Sequence, residues 1–173
     1  MGVVRLRPTL CEDSREHKGK KDHILDAFAK HGINVVRSKM YVGDWTILTD
    51  QSVCIDTKQG LSEVYNNVVQ SHERFRNECL RAKNAGIRLI ILVEEPKIRT
   101  LDDVQYWTNP RSIIYQRQVE QGTATQKAPP INSTRLYNIM RTMSELYGVE
   151  WAFTTKEQCG ETILALLGVA IDA

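Results

Sequence analysis

The sequence predicts an α/β fold, with a central mixed β-sheet of about six strands flanked by helices. Residues 87–93 (IRLIILV) form an unbroken apolar run, which is typical of a strand buried on both faces. Residues 136–147 carry apolar side chains at helical spacing, which predicts an amphipathic helix. Residues 45–48 and 53–55 are apolar or β-branched and flank a turn-like tetrapeptide, so they predict a β-hairpin.

Before the hairpin, the sequence changes from strand to helix and back to strand. Residues 9–12 predict the first strand. Apolar residues spaced along one helical face then predict a helix over residues 20–31, and Gly32 ends it. Residues 35–36 predict the second strand, and residues 39–42 lead into the hairpin.

After the hairpin, helical spacing predicts a long or broken helix that ends before Gly86. The least regular region is an insertion at about 97–130, which has a predicted helical turn at 101–107, a predicted helix at 111–121 and the loop-like stretch GTATQKAPP. The remaining predicted elements are a last strand at 149–153 and a final helix from Thr155.

Composition indicates a single domain over residues 1–173. Hydrophobic residues make up 42% and charged residues 25%, and the net charge of +2 is too small to indicate a nucleic-acid partner by itself. The four cysteines are scattered, which favours reduced thiols over a disulfide framework or a zinc site. We recognise no signal peptide and no apolar run of membrane length, so we expect a cytoplasmic protein without membrane association.

The predicted hairpin brings charged side chains together at its open end. Asp56 and Lys58 are two residues apart in a strand and therefore point to the same face. A turn centred between residues 50 and 51 would place Asp44 opposite Thr57, about 7–8 Å from Asp56 and Lys58. Two carboxylates and an ammonium group suit a divalent cation and a phosphoryl group. A solvated hairpin end with ordinary surface charges is the alternative.

The motif resembles the nuclease domain of the XPF-type structure-specific endonucleases, a branch of the PD-(D/E)xK superfamily. The pattern of that family is Gly-Asp, a strand and turn, Glu-Arg-Lys, and an acid four residues later. This sequence has Gly43-Asp44, then Asp56-Thr57-Lys58, then Glu63. Asp56 replaces the Glu, Thr57 replaces the Arg, and Glu63 follows the Lys by five residues. The resemblance covers about residues 8–95 and 130–168.

The resemblance implies a restriction-endonuclease-like fold and a function. It implies a Mg²⁺- or Mn²⁺-dependent endonuclease that hydrolyses DNA phosphodiesters at branched, flap or junction structures, in DNA repair or recombination. The implied metal ligands are Asp44, Asp56 and the carbonyl of Thr57, with Asp13 and Glu63 helping through water or a second ion. Lys58 would orient the attacking water or neutralise charge that develops on the phosphate.

Three further residues are implied substrate contacts. Arg15 belongs to a segment, Asp13-Ser14-Arg15-Glu16, that resembles the family's Asp-Ser/Thr-Arg-Glu and is a candidate phosphate or structural contact. Gln70 and Arg74 are candidate groups on the substrate side of the cleft, or groups that support the residues there. The alternatives are that Asp13 or Ser14 caps a helix, and that Arg74 forms an i,i+4 surface ion pair with Glu78.

Two questions stay open at the level of sequence. The missing Arg and the shifted acid leave a non-catalytic DNA-binding or scaffold module as an alternative function. The mixture of basic and aromatic residues at about 97–130 fits either DNA contacts or a small local core. Relatives of this type use a helix-hairpin-helix domain to pair and to grip DNA, and we recognise none here. We therefore expect a homodimer or a separate DNA-targeting partner.

Overall fold

The computed structural model describes residues 7–15, 19–126 and 128–171. Within these residues the strands form one six-stranded mixed sheet in the order β2-β1-β3-β4-β5-β6. The strands are β1 Leu10–Asp13, β2 Val35–Ser38, β3 Trp45–Ile47, β4 Asp50–Lys58, β5 Arg88–Glu94 and β6 Glu150–Thr154. β3 runs antiparallel to β1 and to β4, whereas the other neighbouring strands are parallel.

Helices cover both faces of the sheet. They are α1 Asp22–Lys30, α2 Leu61–Val69, α3 His72–Asn84, α4 Pro110–Glu120, α5 Ser133–Tyr147 and α6 Cys159–Leu166, with a 3₁₀ helix at Leu101–Tyr106. α2, α3 and α5 pack over one apolar core, and α1 and α6 pack over the other. The predicted α/β architecture with a mixed sheet of about six strands is confirmed.

The apolar run in β5 is explained by its position between the two cores. Leu89, Ile91 and Val93 face the core under α2, α3 and α5. Ile90 and Leu92 face the core under α1 and α6. Because successive side chains in a strand point to opposite faces, only a strand buried on both sides needs apolar residues at every position.

The hairpin register differs from the predicted one by one residue. Trp45 pairs with Ile55, so continuing the register places Asp44 opposite Asp56 and not opposite Thr57. The Asp44 N–H donates a hydrogen bond of 2.8 Å to the Ile55 carbonyl, which holds this alignment. The predicted pairing was therefore wrong, although Asp44 and Asp56 still lie at the same end of the hairpin.

A β-bulge causes the difference in register. The pairing shifts between Thr46 and Ile47, so that Ile47 pairs with Asp50 and the turn lies at residues 48–49. The Thr46 hydroxyl donates a hydrogen bond of 2.7 Å to the Val53 carbonyl. The shift leaves residues 51–53 of β4 without partners on β3. Counting the pairs outward from the turn assumes that every residue has a partner, so it could not give the observed register.

The other predicted helices and strands agree with the structure to within four residues. The long or broken helix is broken, with α2 ending at Val69 and α3 beginning at His72. The irregular insertion contains both predicted helical segments, Leu101–Tyr106 and Pro110–Glu120. Parts of two predictions lie outside the described residues: Glu16 in the first motif, and Lys127 in the insertion. Among the described residues, no helix is both long and apolar enough to cross a membrane.

The contact between α1 and α6 requires a glycine. A Cβ atom added at Gly160 would lie 2.4 Å from the Cβ of Ala27 and 3.2 Å from the Ile24 carbonyl oxygen. We expect Gly160→Ala to lower the free energy of unfolding by about 1–3 kcal/mol, because overpacking outweighs the better helix propensity of Ala. Urea denaturation measures the change. Ala165→Ser, on the exposed side of the same helix, is the control and should change stability by less than about 0.5 kcal/mol. Equal stabilities of the two variants would contradict the prediction.

Candidate active-site cleft

A cleft of about 1000 Å³ opens where β1 and β4 end and β3 begins. Because β3 is antiparallel to both neighbours, Trp45 at its beginning pairs with Glu12 and Ile55, shortly before β1 and β4 end. The cleft is lined by many charged side chains. The acids are Asp13, Asp44, Asp56, Glu63 and Glu78, and the bases are Arg15, Lys20, Lys21, Lys39, Lys58, Arg74 and Arg81.

Asp44 is buried at the floor of the cleft. Its Oδ2 accepts hydrogen bonds from the Thr57 N–H at 2.8 Å, the Thr57 hydroxyl at 2.7 Å and Lys21 Nζ at 2.6 Å. Burial opposes ionisation of this carboxyl, but Lys21 and Lys58 hold its pKa below the ordinary value. Asp44 is therefore an oriented carboxylate at neutral pH.

Asp56 and Lys58 form the second buried pair. Lys58 Nζ lies 2.9 Å from Asp56 Oδ1 and 2.7 Å from Oδ2. Although Lys58 is close to the buried Oδ2, this oxygen accepts no hydrogen bond, so it keeps an unused lone pair. Burial raises the pKa of Asp56 to about 8, Lys58 opposes the shift, and the charges of Asp44 and Glu78 add to it. Positive charge beside Asp56 would stabilise its ionised form.

Lys58 stays protonated in the cleft. Burial alone would lower the pKa of its ammonium group, but the carboxylates of Asp56 and Asp44 raise it above the ordinary value. The Lys58 ammonium also lies 5.7 Å from the centre of the Phe75 ring, which favours a cation. Lys58 can therefore donate a hydrogen bond, but it cannot accept a proton.

Lys21 is a site residue that sequence reasoning missed. Only 7% of the residue is exposed, although lysine side chains are mostly solvated. It precedes α1 and reaches across to Asp44, and its ammonium lies 6.0 Å from the centre of the Trp45 ring. No sequence signal separated it from Lys20, which is exposed.

Asp13 and Glu63 line the cleft but have other partners. Asp13 forms a two-pronged ion pair with Arg15, whose Nε and NH2 groups lie 2.8 Å and 2.6 Å from Asp13 Oδ2. Arg15 also donates a hydrogen bond to the Met40 carbonyl. Glu63 Oε2 accepts a hydrogen bond of 2.7 Å from the Gln59 N–H at the start of α2. Neither carboxylate shares a partner with Asp44 or Asp56 in these contacts.

Gln70 and Arg74 were both expected on the substrate side of the cleft, but the structure places only one of them there. Arg74 lines the cleft, whereas Gln70 ends α2 and is not among the lining residues. Within the described part of the chain, no ion pair joins Arg74 to Glu78. Glu78 Oε1 instead accepts a hydrogen bond of 2.9 Å from the Gly43 N–H and so holds the residue before Asp44.

The backbone at position 43 requires a glycine, because a side chain would not fit there. Its φ is +70°, and an added Cβ would lie 3.0 Å from the Ile55 carbonyl oxygen. The Gly-Asp pair in the sequence therefore has a structural cause, because Gly43 allows the chain to turn against β4 and present Asp44 to the cleft.

Comparison with known proteins identifies the family of the chain. The ERCC4 domain model matches residues 13–165, from the last residue of β1 almost to the end of α6. The chain belongs to the ERCC4 domain family. No curated protein sequence matches it. The predicted resemblance to XPF-type nuclease domains is thereby confirmed at the level of family and fold.

Two solved structures share the fold of this ERCC4 domain. The first is XPF from Aeropyrum pernix, with a TM-score of 0.60 and 19% identity, and the match covers 92% of this chain and 63% of the other. The second is XPF from Aeropyrum pernix in complex with DNA, with a TM-score of 0.59 and 19% identity, covering 94% of this chain and 64% of the other. The chain thus spans less than two thirds of the length of these relatives.

Removal of the buried ammonium of Lys21 should destabilise the ERCC4 domain. We expect Lys21→Met to lower the free energy of unfolding by about 3–5 kcal/mol, because Asp44 would keep its charge in a buried position without its ion-pair partner. Urea denaturation measures the loss. Lys20→Met is the matched control, since Lys20 is the exposed neighbour in the same cleft, and it should change stability by less than about 0.5 kcal/mol. A similar effect of both substitutions would show that the Lys21–Asp44 pair does not stabilise the fold.

Proposed function

We propose that this ERCC4 domain is a divalent-metal-dependent endonuclease that hydrolyses phosphodiester bonds in DNA. The observation that carries the proposal is the pair of buried carboxylates, Asp44 and Asp56, at the floor of one cleft. Two acids buried side by side are costly unless cations neutralise them. A cleft that is built around such a pair and surrounded by basic side chains suits the backbone of a nucleic acid.

The residues of the cleft fit a hard divalent cation such as Mg²⁺ or Mn²⁺. The buried Oδ2 of Asp56 has no hydrogen bond, and burial raises the pKa of this carboxyl, so a cation would satisfy both its lone pair and its charge. In this proposal Asp44, Asp56 and the carbonyl of Thr57 hold the cation, and Asp13 and Glu63 help through water or a second ion. When bound, the cation would polarise a phosphoryl oxygen and lower the pKa of water.

The two buried lysines would have different tasks. Lys21 donates to Asp44 and would keep that carboxylate ionised and oriented. Lys58 remains protonated, so it would donate to a phosphoryl oxygen or orient the attacking water, but it would not act as a general base. This division follows from the raised pKa of the Lys58 ammonium and from its contact with both oxygens of Asp56.

Several basic side chains at the cleft would contact phosphates. Lys20, Lys39 and Arg74 are exposed residues that line it. Arg15 would act chiefly on Asp13, with which it is already paired, and Gln70 would contact only DNA that extends beyond the cleft. We propose branched, flap or junction DNA as the substrate, met in repair or recombination, because the family resemblance favours such structures. One of the two XPF structures from Aeropyrum pernix is a complex with DNA.

A non-catalytic DNA-binding or scaffold module is the second candidate function. One observation favours it: Asp44, Asp56 and Asp13 each have an ion pair, with Lys21, Lys58 and Arg15 respectively. A cleft whose carboxylates are already neutralised by its own basic side chains would need no metal. With either function, a homodimer or a separate DNA-targeting partner would make further contacts with the DNA.

Cleavage should depend on the acids of the cleft. We expect Asp44→Asn and Asp56→Asn to reduce cleavage to background, since an amide binds a divalent cation much more weakly than a carboxylate. Lys58→Met should reduce the rate by about 10²–10³-fold, as is typical for one group that stabilises transition-state charge. The assay uses labelled forks, flaps, four-way junctions and plain duplex with Mn²⁺, followed by a chelator. Asp26→Asn, an exposed acid on α1, should keep full activity. Full activity of Asp56→Asn would remove the proposal.

Direct metal binding separates the two candidate functions. Calorimetric titration with Mn²⁺ should give a binding signal in the wild-type chain that is lost in Asp44→Asn and retained in Asp26→Asn. The physical reason is that Asp44 and Asp56 together supply the negative charge that the cation needs. A wild-type chain that binds DNA but gives no signal with Mn²⁺ or Mg²⁺ would instead support the non-catalytic module.

A further inference from the structure

We propose that a second metal site, for zinc or a similar transition metal, lies beside the cleft and is formed by His23, Glu94 and Cys159. The potential ligand atoms of these three side chains all lie within 4.8 Å of one another, and no other such group occurs among the described residues. The site does not depend on the proposed nuclease function. It uses none of the carboxylates assigned above.

The donor set identifies the class of metal. An imidazole nitrogen, a thiol sulfur and a carboxylate oxygen are the ligands that zinc accepts together, usually in tetrahedral geometry. Mg²⁺ and Mn²⁺ prefer oxygen ligands, which is the composition of the Asp44–Asp56 pair. The two neighbouring sites would therefore differ in the cation that each selects.

The three side chains converge from different parts of the fold. His23 is in the first turn of α1, Glu94 is the last residue of β5, and Cys159 is the first residue of α6. His23 Nε2 lies 2.5 Å from Glu94 Oε1, and the Cys159 sulfur lies within 4.8 Å of the ligand atoms of both residues. Ligand bonds of about 2.0–2.3 Å imply tetrahedral ligand separations of roughly 3.3–3.8 Å. The His23–Glu94 contact would therefore have to open by about 1 Å.

The three side chains differ in their exposure to solvent. Cys159 is fully buried, whereas the side chains of His23 and Glu94 are 18% and 8% exposed. The partly exposed histidine leaves room for a fourth ligand such as water. The nearby positive charge of Lys21 is paired with Asp44, so its repulsion of a cation is reduced.

A metal at this position would stabilise the geometry of the cleft. His23 follows Lys21 by two residues at the beginning of α1, and Lys21 holds Asp44. Three ligand bonds would join α1 to β5 and α6. They would therefore hold in place the segment that carries Lys21. The competing arrangement is a metal-free one in which His23 is hydrogen-bonded to Glu94 and the Cys159 thiol is buried beside them.

Cobalt substitution tests the proposal on the full chain. Titration of the reduced protein with Co²⁺ should give one equivalent of binding with a sulfur-to-cobalt charge-transfer absorption. That absorption should disappear in Cys159→Ala and in His23→Gln. It should persist in Cys79→Ala, a second buried cysteine under the other face of the sheet, and in Asp56→Asn, which removes a carboxylate from the cleft. Circular dichroism verifies that each variant is folded.

Three results would overturn the proposal. The first is the absence of the charge-transfer absorption in the wild-type chain, a result that does not depend on the folding of any variant. The second is its persistence in Cys159→Ala. The third is its loss in folded Cys79→Ala or Asp56→Asn. None of these results would affect the proposed nuclease function, because that function is tested with Mn²⁺ and with DNA.

Discussion

The hydrogen bonds of Asp44 hold the cleft together. Its carboxylate accepts from Lys21 and from both donor groups of Thr57, and its backbone N–H donates to β4 at Ile55. Its carbonyl accepts from the Asp13 N–H at the end of β1. One residue therefore connects β1, β4 and the segment before α1. An aspartate without these partners would be too costly to bury, so the surrounding elements and the charge of Asp44 depend on one another.

The cleft is a balance of buried charges. Asp44 and Asp56 each face one buried lysine, and the two pairs have opposite consequences for the acids. The pKa of Asp44 is lowered because two ammonium groups and two Thr57 donors favour its ionised form. The pKa of Asp56 is raised because burial outweighs its single ammonium partner. The cleft can therefore accept one more positive charge at Asp56, which is the physical basis of the proposed cation site.

Much of the fold was predictable because its signals are local. The apolar run at β5 required a strand buried on both faces, and the amphipathic pattern of α5 required a helix on one side of the sheet. The Gly43-Asp44 pair and the spacing of Asp56 and Lys58 predicted that these side chains lie together for the same reason, since they are close in sequence. The hairpin register was not predictable, because the shift between Thr46 and Ile47 leaves residues 51–53 of β4 without partners on β3, and counting outward from the turn does not allow for unpaired residues.

The sequence by itself determined the class of fold, the hairpin that carries two acids and a lysine, and the family resemblance. Tertiary structure alone decided which basic residue becomes buried: Lys21 and Lys20 are identical in type and adjacent, but only Lys21 points to Asp44. It also decided the grouping of His23, Glu94 and Cys159, which are far apart along the chain. The reason is the same in both cases. Long-range contacts depend on how elements pack, and the spacing of residues within one element contains no record of that packing.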